Sequence, residues 1–173
     1  HLSLSITIDG NKELHDSCRV FHDGTPSYDI AVKAVRHWMN DMKGYMGSKI
    51  TIAPENITHL CDALIHMIKL GYEEINANCV YEEGWTIEHA AEFYRQTKKF
   101  ADYMLKNDLD DIYCSLYEEN FFHPKSEVDN QNWCGGTGVM LSCDPDGYLY
   151  PCIRYMESSL GDKQPAVRIG DVH

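Results

Sequence analysis

Three cysteines near the end of the chain are spaced for chemistry. Cys134, Cys143 and Cys152 lie in the stretch Trp133-Cys134-Gly-Gly-Thr-Gly-Val-Met-Leu-Ser-Cys143-Asp-Pro-Asp-Gly147-Tyr-Leu-Tyr-Pro-Cys152. Thiolates hold zinc and iron–sulfur clusters equally well. Asp144-Pro145-Asp146-Gly147 is a turn signal, because proline presets φ, aspartate bonds local backbone and glycine takes positive φ. The flanking runs, near 138–143 and 148–152, are predicted to pair as a β-hairpin. Cys143 then falls near Tyr148. Cys152 lies four residues further on, roughly 13 Å away at about 3.4 Å per residue. One metal does not easily take both. Cys134 precedes the hairpin, and Gly135, Gly136 and Gly138 let the chain bend toward Cys152. The preferred pair is Cys134 with Cys152, and Cys143 is the odd thiol. Spacing alone leaves a cluster, a zinc knuckle, a disulfide and free thiols open.

The remaining chemistry-bearing residues are scattered. Cys61 falls on the apolar side of a predicted helix, where a small buried hydrophobe is its natural role. Cys79 reads as core, Cys18 as a stray thiol in a polar loop, and Cys114 is isolated. Nine histidines show no HExxH spacing, and His59 and His66 are too far apart for one metal. There is no Walker loop and no G-x-S-x-G. The glycine-rich CGGTG run leads into a hairpin rather than a helix, which argues against phosphate binding.

The elements that must position these residues read as an α/β chain. Residues 2–8 alternate and are predicted as a strand ending at Asp9-Gly10. Residues 11–26 read as a polar loop with a helical turn. Ser27 caps a predicted helix over 28–43, with Ile30, Ala34, Val35, Trp38 and Met42 as its apolar stripe. Residues 48–53 form a second strand. Pro54-Glu55-Asn56 opens a helix whose buried face is Ile57, Leu60, Cys61, Leu64, Ile65 and Ile68, closed by Gly71. Residues 73–80 form a third strand. A long helix runs from Thr86 to Lys106, with Ala90, Phe93, Tyr94, Thr97, Phe100, Ala101 and Met104 inward. Alternating strands and helices predict a parallel sheet with helices outside it. An acidic connector follows, with a short strand at 112–116, then the hairpin, and a final strand at 166–170.

Composition narrows the function classes. The chain has 173 residues, a net charge of −12 and a hydrophobic fraction of 43%. Such acidity argues against nucleic acid or an anionic membrane as partner. No apolar run is long enough to span a membrane, and no signal-peptide pattern opens the chain. Seven cysteines, an odd count, favour reduced thiols and a cytoplasmic setting.

Cys134 through Gly147 to Cys152 spell C-x12-G-x4-C, and this stretch resembles the opening of the SPASM or twitch extension of radical S-adenosylmethionine enzymes. Anaerobic sulfatase-maturating enzymes and peptide maturases belong to that group. The upstream text is similar as well. Ser-Ile-x-Ile-Asp9-Gly10 with His15-Asp16 and Arg19 looks like the fourth strand and loop of their partial (β/α)6 barrel. Ile52 to Ile57 look like its fifth strand and helix start, and Ile75 to Asn78 like its sixth strand. The resemblance implies that residues 1–108 are the later part of the barrel, its last three strands and helices. Residues 109–173 would be a connector and a truncated auxiliary-cluster segment. It also implies that Cys134 and Cys152 ligate an auxiliary [4Fe–4S] cluster. In the intact enzyme a second cluster would reduce S-adenosylmethionine, and the 5′-deoxyadenosyl radical would abstract hydrogen from a peptide or protein substrate.

One departure matters. No cysteine trio here has the C-x3-C-x2-C spacing that holds the S-adenosylmethionine cluster. The first three strands and the later C-x2-C-x5-C-x3-C cysteines have no counterpart either. The expectation is a fragment of a longer oxidoreductase, inactive alone, that associates as a dimer through open sheet edges. Ligands of such barrels sit at the C-terminal strand ends. Asp9 is placed there, either on substrate or the adenosyl ribose, or on the amides of its own turn. Asn76 and Asn78 share one strand face, and Asn56 opens a helix; each is a candidate for cofactor contact beside a structural role. The competing reading is a non-catalytic α/β module whose cysteines hold zinc or stay reduced.

Overall fold

The computed structural model describes residues 6–80, 84–118, 140–160 and 165–173. Two compact units divide the chain, residues 1–122 and 123–173.

The first unit is built on a parallel sheet, in the order β1 (Gly47–Ile52), β2 (Glu74–Cys79), β3 (Tyr113–Cys114). Ser48, Ile50 and Ile52 of β1 point into the core, as do Ile75 and Ala77 of β2. The opposite face is polar, with Lys49 and Thr51 beside Asn76 and Asn78 in register. Strict alternation at period two explains both faces. Helix α3 (Leu60–Leu70) follows a 3-10 turn over Pro54–His59 and packs Leu60, Cys61, Leu64 and Met67 on the apolar face. Gly71 ends it at φ 98°, the left-handed conformation expected of a C′ glycine. Helix α4 (Ile87–Lys106) is capped by Thr86, whose hydroxyl accepts the His89 N–H. It buries Phe100, with Phe93 and Met104 against the core.

Several sequence expectations need correction. The polar segment 11–26 contains a true helix, α1 (Lys12–Cys18), whose preceding Asn11 side chain accepts the Leu14 N–H at 2.9 Å. Helix α2 (Tyr28–Arg36) stops earlier than 43 and passes into a π turn, His37–Asp41. Its buried side is Tyr28, Val32 and Val35, while Ile30 is 62% exposed and Met42 also faces out. Ser27 makes no side-chain cap. Asp16 performs that task from α1, taking the Ser27 and Tyr28 N–H groups at 3.0 and 2.8 Å. On α4, Tyr94 is 67% exposed and Ala90 is exposed as well, rather than inward. Residues 6–9 carry no strand pairing, although Ile8 is fully buried and the Tyr72 hydroxyl donates to the Ile6 carbonyl. Residues 2–5 of that expected strand lie outside the described residues.

The second unit carries the expected hairpin. Strands β4 (Ser142–Cys143), β5 (Tyr148–Tyr150) and β6 (Gly170–Asp171) form an antiparallel sheet in that order. Cys143 pairs with Leu149 rather than Tyr148. The turn closes with the Gly147 N–H donating to the Asp144 carbonyl at 3.0 Å. Gly147 sits at φ 85°, and a Cβ there would meet Val172 at 2.9 Å. The final strand pairs at 170–171, slightly later than 166–170.

Candidate functional site

The C-terminal end of β1 gathers polar groups of the first unit around one residue, Thr51. The Thr51 N–H donates to Asp9 Oδ1 at 3.0 Å. The Thr51 carbonyl accepts from Asn56 Nδ2 at 3.3 Å, while Asn56 Oδ1 takes the Ala53 N–H at 2.8 Å. Asn78 is the register partner of Thr51 across the ladder. Three of the four predicted cofactor residues therefore converge here. Their present partners are backbone groups in two cases: Asp9 pins the strand and Asn56 pins the turn after it. Asn78 is exposed, and its side chain has no partner among the described residues. Asn76 stands one step back along β2 and donates to Glu74 Oε1 at 2.8 Å. Glu74 also accepts from the Tyr45 hydroxyl. Those two bonds, Tyr45 first, hold the Glu74 carboxyl below its ordinary range, and the same contact pushes Tyr45 up to about 12.

Asp9 is only 5% exposed and meets Arg19, whose Nε–H donates to Oδ2. Arg19 follows α1, and its side chain remains 42% exposed. Both of its Nη groups have no partner among the described residues. A guanidinium held by one edge and open at the other is suited to a carboxylate. Behind it lies His15, 1% exposed. The Asp9 N–H donates to His15 Nδ1 at 3.2 Å, and His15 Nε2 lies 3.0 Å from Ser27 Oγ. Ser27 Oγ–H in turn donates to the Arg19 carbonyl at 2.7 Å. An acceptor at Nδ1 and a hydroxyl already donating elsewhere both require the neutral Nε2–H tautomer. Burial lowers the His15 pKa, which keeps that form. Beside this cluster a groove of about 250 Å³ is lined by Asn11, Leu14, Cys18, Glu55, Asn56 and His59, among others.

Sequence reasoning missed the roles of His15, Arg19 and Ser27 at this site. The partners lie 6 to 12 residues apart, at spacings no helix or strand repeat marks. The local signals were a cluster of polar residues and the likeness of His15-Asp16 and Arg19 to the family's strand and loop, neither of which gives the contacts.

The second candidate is the hairpin. Cys152 is buried, opens the 3-10 turn Ile153–Tyr155 and accepts the Arg154 N–H on Sγ at 3.4 Å. Hydrogen bonds to sulfur are among the features that tune a ligating thiolate. Cys143 is exposed, and its thiol donates to the Asp144 carbonyl. Cys134, the expected partner of Cys152, lies outside the described residues. No group of three or more His, Cys, Asp or Glu side chains placed to hold a metal occurs among the described residues. Burial raises the pKa of Cys61, Cys79 and Cys114, as expected of packed and unreactive thiols.

No family model matches the sequence, and no curated protein matches it either. Solved structures do. The chain is similar to native anSMEcpe with bound AdoMet, at 16% identity over 96% of this chain and 46% of that one, with a TM-score of 0.63. A hexahistidine-tagged anSMEcpe with bound AdoMet gives 16%, 96%, 44% and 0.64. Native anSMEcpe with bound AdoMet and Kp18Cys peptide gives 16%, 96%, 47% and 0.61. The chain thus spans less than half the length of these structures. In fold, it is like part of an anaerobic sulfatase-maturating enzyme, a radical S-adenosylmethionine protein.

Proposed function

We propose that the chain is the later part of a radical S-adenosylmethionine enzyme that modifies a peptide or protein substrate. The supporting observation is the likeness over 96% of the chain to structures that hold AdoMet and, in two cases, a peptide. In this reading residues 1–108, with β1 and β2, are the closing part of a partial barrel with the polar sheet face inward, and β3 at Tyr113–Cys114, in the connector, extends the same sheet. Asn78, Asn76 and Lys49 then face the barrel interior, and Asp9 and Asn56 shape its rim. Arg19 takes the carboxylate of S-adenosylmethionine through its two open Nη groups. The open guanidinium at a strand end fits that group by charge and shape.

Residues 109–173 are, on this proposal, a connector and an auxiliary-cluster segment. Cys134 and Cys152 supply two thiolates to a [4Fe–4S] cluster. The buried Cys152 sulfur, already accepting an N–H, fits such a ligand; the outward Cys143 does not. The cluster, when bound, supplies electron transfer, and the protein supplies position and charge. A cytoplasmic setting keeps such thiols reduced. Without a C-x3-C-x2-C motif the chain by itself is inactive.

Anaerobic reconstitution with iron and sulfide tests this assignment. Broad visible absorbance is expected in the full-length protein with an auxiliary contribution that Cys152→Ser and Cys134→Ser remove and Cys143→Ser leaves intact. Stoichiometric zinc with no chromophore would support the competing zinc-binding module instead.

A further inference from the structure

Four residues near the end of β1 close a ring of hydrogen bonds. The Asp9 N–H goes to His15, the His15 Nε2–H to Ser27, the Ser27 hydroxyl to the Arg19 carbonyl, and the Arg19 Nε–H to the Asp9 carboxylate. Each member donates once and accepts once around the circuit. None of the links belongs to a helix or strand ladder. The ring therefore does one thing that secondary structure does not: it fixes both ends of Arg19, backbone and side chain, against the buried Asp9.

We infer that His15 and Ser27 are positioning residues that orient the Arg19 guanidinium for an amino-acid carboxylate. This rests on the proposal that Arg19 takes the carboxylate of S-adenosylmethionine. The ring works in one protonation state only. A second proton on His15 would sit at Nδ1, facing the Asp9 N–H, so that link becomes donor against donor and opens. The groups facing His15 are Asp9 from the preceding segment, Lys12 and Asp16 from α1, Arg19 after it, and the Tyr28 ring edge of α2 at 5.7 Å. Asp9 and Asp16 favour a protonated ring, Lys12 and Arg19 oppose it, and burial is the largest influence and keeps the ring neutral. Carboxylate binding is thus complete at neutral pH and is lost as pH falls below the ordinary histidine range.

Isothermal titration of the full-length protein with S-adenosylmethionine tests the inference. Ser27→Ala leaves His15 in place and opens the ring at the two links that pass through the Ser27 hydroxyl. With both links gone and Arg19 less firmly oriented, binding is expected about five- to tenfold weaker at pH 8. In the native protein affinity should fall from pH 7 toward pH 5.5, where circular dichroism still shows a folded chain. His15→Asn, which keeps an acceptor for the Asp9 N–H, should flatten that profile. Histidine-labelled protein read by nitrogen NMR should show the Nε2–H tautomer at His15 even where the asparagine variant does not fold. Binding that is flat with pH and equal in Ser27→Ala would overturn the inference alone, as would an Nδ1–H tautomer. No binding at any pH would overturn the functional proposal and the inference with it.

Discussion

Single positions decide much of the first unit. Gly10 turns the chain after Asp9 at φ 88°, and a Cβ there would lie 2.7 Å from Ala63 Cβ on α3. Both the conformation and the space demand glycine. Gly10→Ala is therefore expected to destabilise the protein by about 1–3 kcal/mol, seen as a lower denaturant midpoint with an unchanged slope; an unchanged midpoint would show that the turn relaxes freely. Asp9-Gly10 was legible as a turn. What Asp9 does was only half legible. Its carboxylate binds the Thr51 amide, 42 residues away, and Arg19, 10 residues away. Spacing along the chain carries no trace of either contact. Asn56 was easier, since an amide at a helix start ordinarily serves its own turn, and here it does.

At the level of elements, alternation was the reliable signal. Ile50 and Ile52 in β1 and Ile75 and Ala77 in β2 point inward as their pattern predicts, and the Ile57 to Met67 face of α3 holds the core. Helix α2 was misread because its stripe was anchored on Ile30, whereas Tyr28 and Val32 turn inward and the π turn after Arg36 resets the period. Trp38, inside that turn, donates Nε1–H to the Tyr45 carbonyl at 3.0 Å. Helix α1 was read as no more than a helical turn because only His15 of its seven residues is buried, and a lone buried histidine makes no periodicity. The two helices are joined by Asp16, whose carboxylate stands as cap for α2. Burial opposes its charge, yet the Tyr28 amide and Lys12 hold its pKa below the usual carboxylate range. Asp16→Ala should reduce helical circular dichroism and lower the Tm by about 2–4 °C. A Tm equal to the native value would mean that water replaces the cap at no cost.

At the largest scale, the first unit presents a two-faced sheet. One face is packed by helices and the other is polar, with Lys49 and Asn78 unpartnered among the described residues. No helix among the described residues is long and apolar enough to cross a membrane. The described parallel sheet has β1 and β3 as its edge strands, so self-association of the isolated chain is the expected behaviour. Light scattering should report a mass above that of one chain, and a clean single-chain mass at high concentration would count against it. The grip on Thr51 bears on where such growth can start. With its amide taken by Asp9 and its carbonyl by Asn56, Thr51 has no main-chain group left to offer an incoming ribbon. That block favours accretion of further copies on the opposite flank, along Tyr113 and Cys114, and a proline placed there would be the simplest way to keep the isolated chain dispersed.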